Sequence, residues 1–114
     1  MSLNEKQVRF TKTLGKFLVW CERNGHDVIL AEVFRTKEQA EIYAKQGKGI
    51  KNSVHTKKLA ADMFLMKNNK VTWDTEDYRP LGEKWKSMDP DAVWGGDFKG
   101  RDSVHFSFIH NGVA

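Results

Sequence analysis

The chain has 114 residues, of which 39% are apolar and 30% are charged. That length predicts one domain over residues 1–114 with its own apolar core, and the composition excludes a disordered chain. The only cysteine, Cys21, excludes both an intramolecular disulfide framework and a cysteine-based zinc finger. Four histidines and many carboxylates leave open a metal site with nitrogen and oxygen ligands.

The formal net charge is +4, and much of the positive charge is concentrated in one stretch. Residues 45–61 contain no acidic residue and include five lysines: Lys45, Lys48, Lys51, Lys57 and Lys58. Such a patch can meet nucleic acid, an anionic lipid surface or an anionic cell-wall polymer, or it is a solvated loop. Because this loop has no aromatic residues on which bases could stack, we expect no nucleic-acid partner.

The amino-terminal residues MSLNEKQVRF contain no apolar region of the kind found in signal peptides. No segment approaches the roughly 20 apolar residues that a membrane span needs. We therefore expect a protein made in the cytoplasm without a signal peptide and not inserted in a membrane.

The first predicted element is a helix over residues 4–24. Phe10, Leu14, Phe17 and Cys21 recur at helical spacing and form one apolar face, with Asn4 as the expected cap. Gly25 is expected to end this helix. The run DVILAEVF, residues 27–34, then predicts a buried strand because it is apolar and rich in β-branched residues.

The remaining elements alternate between helix and strand. Thr36 and Gln39 fit a capping box, and Pro80 suits the first turn of a later helix. In chain order we expect a helix over 36–47, a loop over 48–58, strands over 59–66 and 71–73, a helix over 76–88 and a strand over 105–109. This order predicts an α+β fold with a small antiparallel sheet and flanking helices.

Two clusters of residues suit catalytic chemistry. One is Ser53-x-His55 followed by Asp62, and the other is a Trp-Gly-Gly-Asp run followed by Asp102-x-x-His105. Three nitrogen or oxygen ligands with an open fourth position are the usual design of a catalytic zinc site. A carboxylate outside the ligand set can move protons during hydrolysis. Spacing alone is a weak signal, because a lone histidine is more often a packed or surface residue than a ligand.

Three ordered motifs strengthen this interpretation. They read FRTKEQAEIYAKQG over 34–47, SVHTKKLAAD over 53–62 and WGGDFKGRDSVHF over 94–106. Together they resemble the zinc peptidases that include D-Ala-D-Ala carboxypeptidases and phage L-alanyl-D-glutamate endopeptidases, which have the hedgehog/DD-peptidase-like fold. The resemblance covers about residues 28–108. The short chain, and the Asp rather than Glu before the last motif histidine, match the short phage endopeptidases best.

The resemblance implies a role for each matching residue. The expected zinc ligands are His55, Asp62 and His105. Asp102 would be the general base and then the general acid, and Arg35 would stabilise the oxyanion or hold a substrate carboxylate. Ser53 and Gln39 would line the substrate cleft.

The implied function is hydrolysis of an amide bond in the peptidoglycan stem peptide, after release of the enzyme from the cytoplasm by a lysis-type route. L-alanyl-D-glutamate cleavage is the main expectation. D-Ala-D-Ala carboxypeptidase activity and a non-catalytic cell-wall or virion module are the alternatives. We expect a monomer with no separate wall-binding domain.

Several of these residues also have a purely structural interpretation. Ser53 can make a turn hydrogen bond, Gln39 can complete the capping box, and Arg35 can pair with a core carboxylate. The chain also departs from the family pattern at two positions. Lys58 stands where a glycine is frequent, and Ser107 where Glu or Gln is frequent, which affects the surroundings of the ligands rather than the ligands themselves.

Overall fold

The computed structural model describes residues 2–114. Its elements are α1 (Leu3–Arg23), β1 (Val28–Leu30), α2 (Lys37–Lys45), β2 (Ala60–Lys67), β3 (Lys70–Val71), α3 (Thr75–Met88), β4 (Ala92–Trp94) and β5 (His105–Phe108). The strands are ordered β1-β2-β5-β4, β3 also pairs with β2, and every pairing is antiparallel. The predicted α+β fold with a small antiparallel sheet is therefore confirmed.

Helix α1 begins one residue earlier than predicted. Ser2, not Asn4, is the cap: its hydroxyl accepts a hydrogen bond from the backbone N–H of Glu5, and the Glu5 side chain completes a capping box. Phe10, Phe17 and Cys21 are buried on the predicted face. No helix within residues 2–114 combines the length and apolar character needed to cross a membrane.

The core lies between α1, α3 and one face of the sheet. The Trp85 ring of α3 packs edge-on against Phe10 and Phe17 of α1, at centroid distances of 5.7 and 5.4 Å. The Trp85 indole N–H lies 3.1 Å from the carbonyls of Val93 and Ser107, so the buried ring leaves no unpaired donor. This packing fixes β4 and β5 against α3.

Two further expectations about the fold are wrong, and one strand was not predicted. The strand predicted over 27–34 is only three residues long and lies at the sheet edge, where Ile29 and Leu30 remain about half exposed. Strand β4 was not predicted, because its three residues carry too short a pattern. Pro80 lies in the second turn of α3, since this helix begins at Thr75.

Candidate metal centre and substrate pocket

Strand register brings two of the predicted ligands together. Asp62 of β2 and His105 of β5 are direct partners across the antiparallel pair, so their side chains share one face of the sheet. His55 reaches them from a short 3₁₀ helix, Val54–Lys57, immediately before β2. One ligand atom from each of the three residues lies within 4.8 Å of the others.

The His55 ring is oriented by the backbone. Its Nδ1 lies 3.1 Å from the Val33 carbonyl oxygen, which can only accept, so Nδ1 carries the proton. In the neutral ring, Nε2 then presents a lone pair, and this atom lies 3.2 Å from Asp62 Oδ1. A backbone carbonyl that fixes the tautomer of a ligand histidine is typical of metal sites.

The donor atoms need a positive charge between them. Asp62 Oδ1 and His105 Nε2 are buried, and neither has a hydrogen-bond partner among residues 2–114. His105 Nδ1 lies 3.6 Å from the same carboxylate oxygen. A buried carboxylate oxygen without a hydrogen-bond partner is costly unless a proton or a cation satisfies it. Two imidazoles and one carboxylate are a ligand set that fits zinc.

The pKa shifts of this group have the same physical origin. Burial by itself raises the pKa of Asp62, but the neighbouring His105 and His55 rings outweigh burial and lower it to about 2. Burial lowers the pKa of His55, yet the adjacent Asp62 carboxylate more than offsets this and the net pKa is raised. Without a metal, a proton is therefore drawn to the position that a cation would occupy.

Asp102 lies at the exposed rim of the same site. Its backbone N–H donates to the Gly95 carbonyl at 2.9 Å, and its own carbonyl accepts from the His105 N–H at 3.1 Å. This turn places Asp102 in the lining of the pocket that His55 and His105 also line. Desolvation by the surrounding walls raises the pKa of the Asp102 carboxyl, and the Asp62 charge raises it further, against the lowering effect of His105.

A pocket of about 350 Å³ adjoins the metal group. We call it the Arg35 pocket, and its lining includes Arg35, Lys48, Ile50, Ser53, His55, Phe98, Asp102 and His105. Arg35 and Lys48 are its cationic side chains, and Phe98 packs on the His105 ring at a centroid distance of 5.6 Å. The pocket is therefore suited to a polar ligand that carries negative charge.

Glu32 holds the Arg35 side chain, a contact that the sequence motifs did not predict. Glu32 Oε1 accepts from Arg35 Nε at 2.9 Å and also from Nη2. The Arg35 guanidinium lies 4.9 Å from the centre of the Tyr43 ring. The predicted carboxylate partner of Arg35 thus exists, yet Arg35 also lines the pocket. An acidic residue three positions before the motif arginine was the available signal.

Of the other predicted residues, some line the Arg35 pocket and others lie outside it. Ser53 lines the Arg35 pocket and also accepts a hydrogen bond from the His55 N–H at 3.2 Å. Gln39 lies on α2 outside the lining of that pocket, and its backbone N–H donates to the Thr36 hydroxyl. Asp97 pairs with Lys86 at 2.7 Å, and Trp94 is fully buried.

The two positions that depart from the family pattern, Lys58 and Ser107, both have unusual local environments. Lys58 adopts φ 56°, a left-handed conformation that glycine adopts at little cost and lysine does not. Ser107 is fully buried and its hydroxyl has no hydrogen-bond partner among the described residues.

The fold and the site together define an α+β protein with a His-Asp-His group capable of holding a metal. Comparison with known proteins confirms the resemblance seen in the motifs. The chain is 34% identical over 102 residues to the L-alanyl-D-glutamate peptidase of Listeria phage A118. The match covers 85% of this chain but only 36% of that relative.

A solved structure shares the fold. The L-Ala D-Glu endopeptidase ChiX of Serratia marcescens superposes with a TM-score of 0.64 at 20% sequence identity. The superposition covers 74% of this chain and 68% of that chain. No family model matches the sequence.

Proposed function

We propose that this protein is a zinc peptidase that hydrolyses the L-alanyl-D-glutamate bond of the peptidoglycan stem peptide. The observation that carries the proposal is the His55, Asp62 and His105 group beside a pocket lined by Arg35 and Asp102. The name of the phage relative, an L-alanyl-D-glutamate peptidase, supports the choice of bond. Because the chain spans about a third of that relative, the activity is assigned on the site rather than on the match alone.

His55, Asp62 and His105 would hold the zinc ion. When bound, zinc supplies Lewis-acid polarisation of a carbonyl and makes hydroxide accessible at neutral pH. The unpaired Asp62 oxygen and the fixed His55 tautomer support this assignment, because both leave lone pairs that a cation would satisfy.

The chain's own residues would manage charge and protons. The Asp102 carboxylate would accept a proton from the attacking water and return it to the nitrogen of the departing amine as the C–N bond breaks. Its raised pKa favours the first half of this cycle, because a carboxylate with a higher proton affinity is a stronger base toward the attacking water and holds the proton until the amine departs. Arg35 would bind the carbonyl oxygen as negative charge develops on it.

The charge of the Arg35 pocket suits this substrate. The stem peptide carries free carboxylates near the scissile bond, and Lys48 offers a cation to receive one of them while Arg35 acts on the carbonyl oxygen. Ser53 lies in the same lining and is a candidate for a polar contact. A role for Gln39 in substrate binding stays a prediction. We further propose that the 114 residues act as one catalytic, monomeric domain on the cell wall after lysis-type release.

The proposal is tested on purified protein with purified peptidoglycan. We expect one zinc per chain, and clearing of the suspension that a chelator stops and added zinc restores. New amino-terminal D-glutamate and carboxy-terminal L-alanine should appear in the digest. Release of terminal D-alanine instead would mean carboxypeptidase activity, and no new ends would mean a non-catalytic module.

One variant separates the chemistry from metal binding. Asp102→Ala should retain zinc and thermal stability while hydrolysis falls to background. Turnover equal to that of the unmodified protein would overturn the role of Asp102.

A further inference from the structure

Trp73 is the most exposed large apolar side chain among the described residues, at 69%. The backbone around it is nonetheless firmly held. The Tyr78 hydroxyl donates to the Thr72 carbonyl at 2.8 Å, the Thr72 hydroxyl donates to Asp77 at 2.6 Å, and Asp74 caps α3 through the Glu76 N–H. A tryptophan displayed on a fixed loop is ready to bind a ligand without a large ordering cost.

The Trp73 ring shares a surface with the metal group. It packs edge-on against Phe64, at a centroid distance of 5.5 Å and an interplanar angle of 63°. Phe64 lies two residues beyond Asp62 on β2, and alternate residues of a strand point to the same face of the sheet. The Trp73–Phe64 pair therefore extends the face on which the ligands lie.

A second cleft connects this pair to the proposed chemistry. We call it the Trp73 cleft; its volume is about 190 Å³ and it is lined by Trp73, Thr75, Tyr78, Arg101, Asp102, Ser103 and Val104. Asp102 lines both this cleft and the Arg35 pocket. A substrate bound across Asp102 would therefore contact two different surfaces, one cationic and one aromatic.

We propose that the Trp73 cleft binds a sugar ring of the peptidoglycan glycan strand, next to the scissile peptide bond. A pyranose ring has one face of C–H groups that packs on an aromatic ring, and polar edges that need hydrogen bonds. The cleft offers both, because the Thr75 and Ser103 hydroxyls lie 2.6 Å apart in its wall and Arg101 adds charged donors.

The inference rests on the proposed function and specifies its substrate further. In peptidoglycan the stem peptide begins with L-alanine attached to the lactyl group of an amino sugar. The sugar is thus one residue from an L-alanyl-D-glutamate bond, a separation of a few ångströms. The adjacency of the two clefts at Asp102 matches that short separation.

The test compares two substrates that differ only in the sugar. One is a muropeptide with its disaccharide, and the other is the same stem peptide without it. We expect Trp73→Ala to lower kcat/KM about tenfold on the muropeptide and to leave the free peptide within about twofold. Trp73→Phe should restore most of the loss because it retains a flat ring. Val8→Ala removes an exposed apolar side chain on α1 and serves as the control.

Equal losses on both substrates, or no loss on either, would overturn the proposal. A second readout does not depend on turnover: the free disaccharide should shift the Trp73 indole N–H signal in NMR spectra, assigned as the signal missing in Trp73→Phe. Failure of the wild type to cleave either substrate, with the shift present, would reject the proposed function alone. Absence of the shift would reject sugar binding whether or not the peptide is cleaved.

Discussion

Asp62 and His105 face each other as register partners across β2 and β5. A shift of one residue in this pairing would turn one of the two side chains to the opposite face of the sheet. The metal group therefore depends on the same hydrogen bonds that hold the centre of the sheet together. His55 is the added element, carried by a 3₁₀ helix that ends directly before β2.

Loss of the Asp62 carboxylate should abolish the stabilisation of the protein by zinc. Zinc at 100 times its dissociation constant should stabilise the wild type by about 2.7 kcal/mol, and a chelator should remove that gain. Asp62→Asn should show little or no zinc-dependent rise in melting temperature. Asp97→Asn is the matched control, because Asp97 pairs with Lys86 on the surface. Equal zinc responses in the two variants would contradict the ligand assignment.

Glu32→Gln should impair activity by releasing Arg35 rather than by unfolding the protein. Misplacement of the guanidinium by about 1 Å can lower kcat/KM up to about 100-fold. Glu76→Gln is the control, since Glu76 pairs with Arg79 at the same three-residue spacing on an exposed surface. Zinc content should be unchanged in both. Steady-state kinetics with equal losses for the two variants would show that Glu32 does not position Arg35.

Gly95→Ala should disrupt the turn that carries Asp102 and His105. A Cβ at Gly95 would lie 2.2 Å from the Asp102 carbonyl oxygen and 2.8 Å from His105 Cβ. We expect a loss of about 1–3 kcal/mol in the free energy of unfolding, together with loss of activity. Gly100→Ala meets no atom within 4 Å and should be close to neutral. Urea denaturation and turnover of both variants provide the measurement.

Lys58→Gly should stabilise the protein, because Lys58 is held at φ 56°. Glycine relieves the strain of the left-handed conformation, but it also makes the unfolded chain more flexible, which opposes folding. The net gain in the free energy of unfolding should be about 0.5–1 kcal/mol. Lys57→Gly, within the 3₁₀ helix, should instead destabilise by a similar amount. Thermal melts of the two variants should move in opposite directions, and parallel shifts would contradict this explanation.

Cys21 should make the protein less stable at high pH. Burial raises the pKa of its thiol from 9.0 to about 11, so the folded state favours the protonated form. The contribution of the protonated Cys21 thiol to the free energy of unfolding is complete below pH 9 and is lost as the pH rises from 9 to about 11. The stability difference between wild type and Cys21→Ala should thus shrink by about 1–3 kcal/mol over that interval. A difference that stays constant in urea melts would refute the shifted pKa.

Local patterns were sufficient to predict most helices and the inner strands. The face of Phe10, Phe17 and Cys21 is buried as predicted, and Asn68 and Asn69 form a turn with positive φ before β3. The failures are at β1 and β4, which are each three residues long at the edges of the sheet. Such short strands form because a neighbouring strand pairs with them. Three residues are too few to show the alternating pattern that would predict a strand.

By itself the sequence predicted the ligand group His55, Asp62 and His105, with Asp102 as a carboxylate beside it, because these residues occur in ordered motifs with chemically suited side chains. It also determined the α+β order of elements through hydrophobic spacing. Only the tertiary structure decided that Glu32 holds Arg35, that Gln39 lies outside the Arg35 pocket, and that Trp73 stands beside Asp102. The pair of Glu32 and Arg35 is only three residues apart, but the conformation of the loop between β1 and α2 decides whether they meet. The other two relations join residues far apart in the chain, so tertiary packing fixes them rather than any local preference.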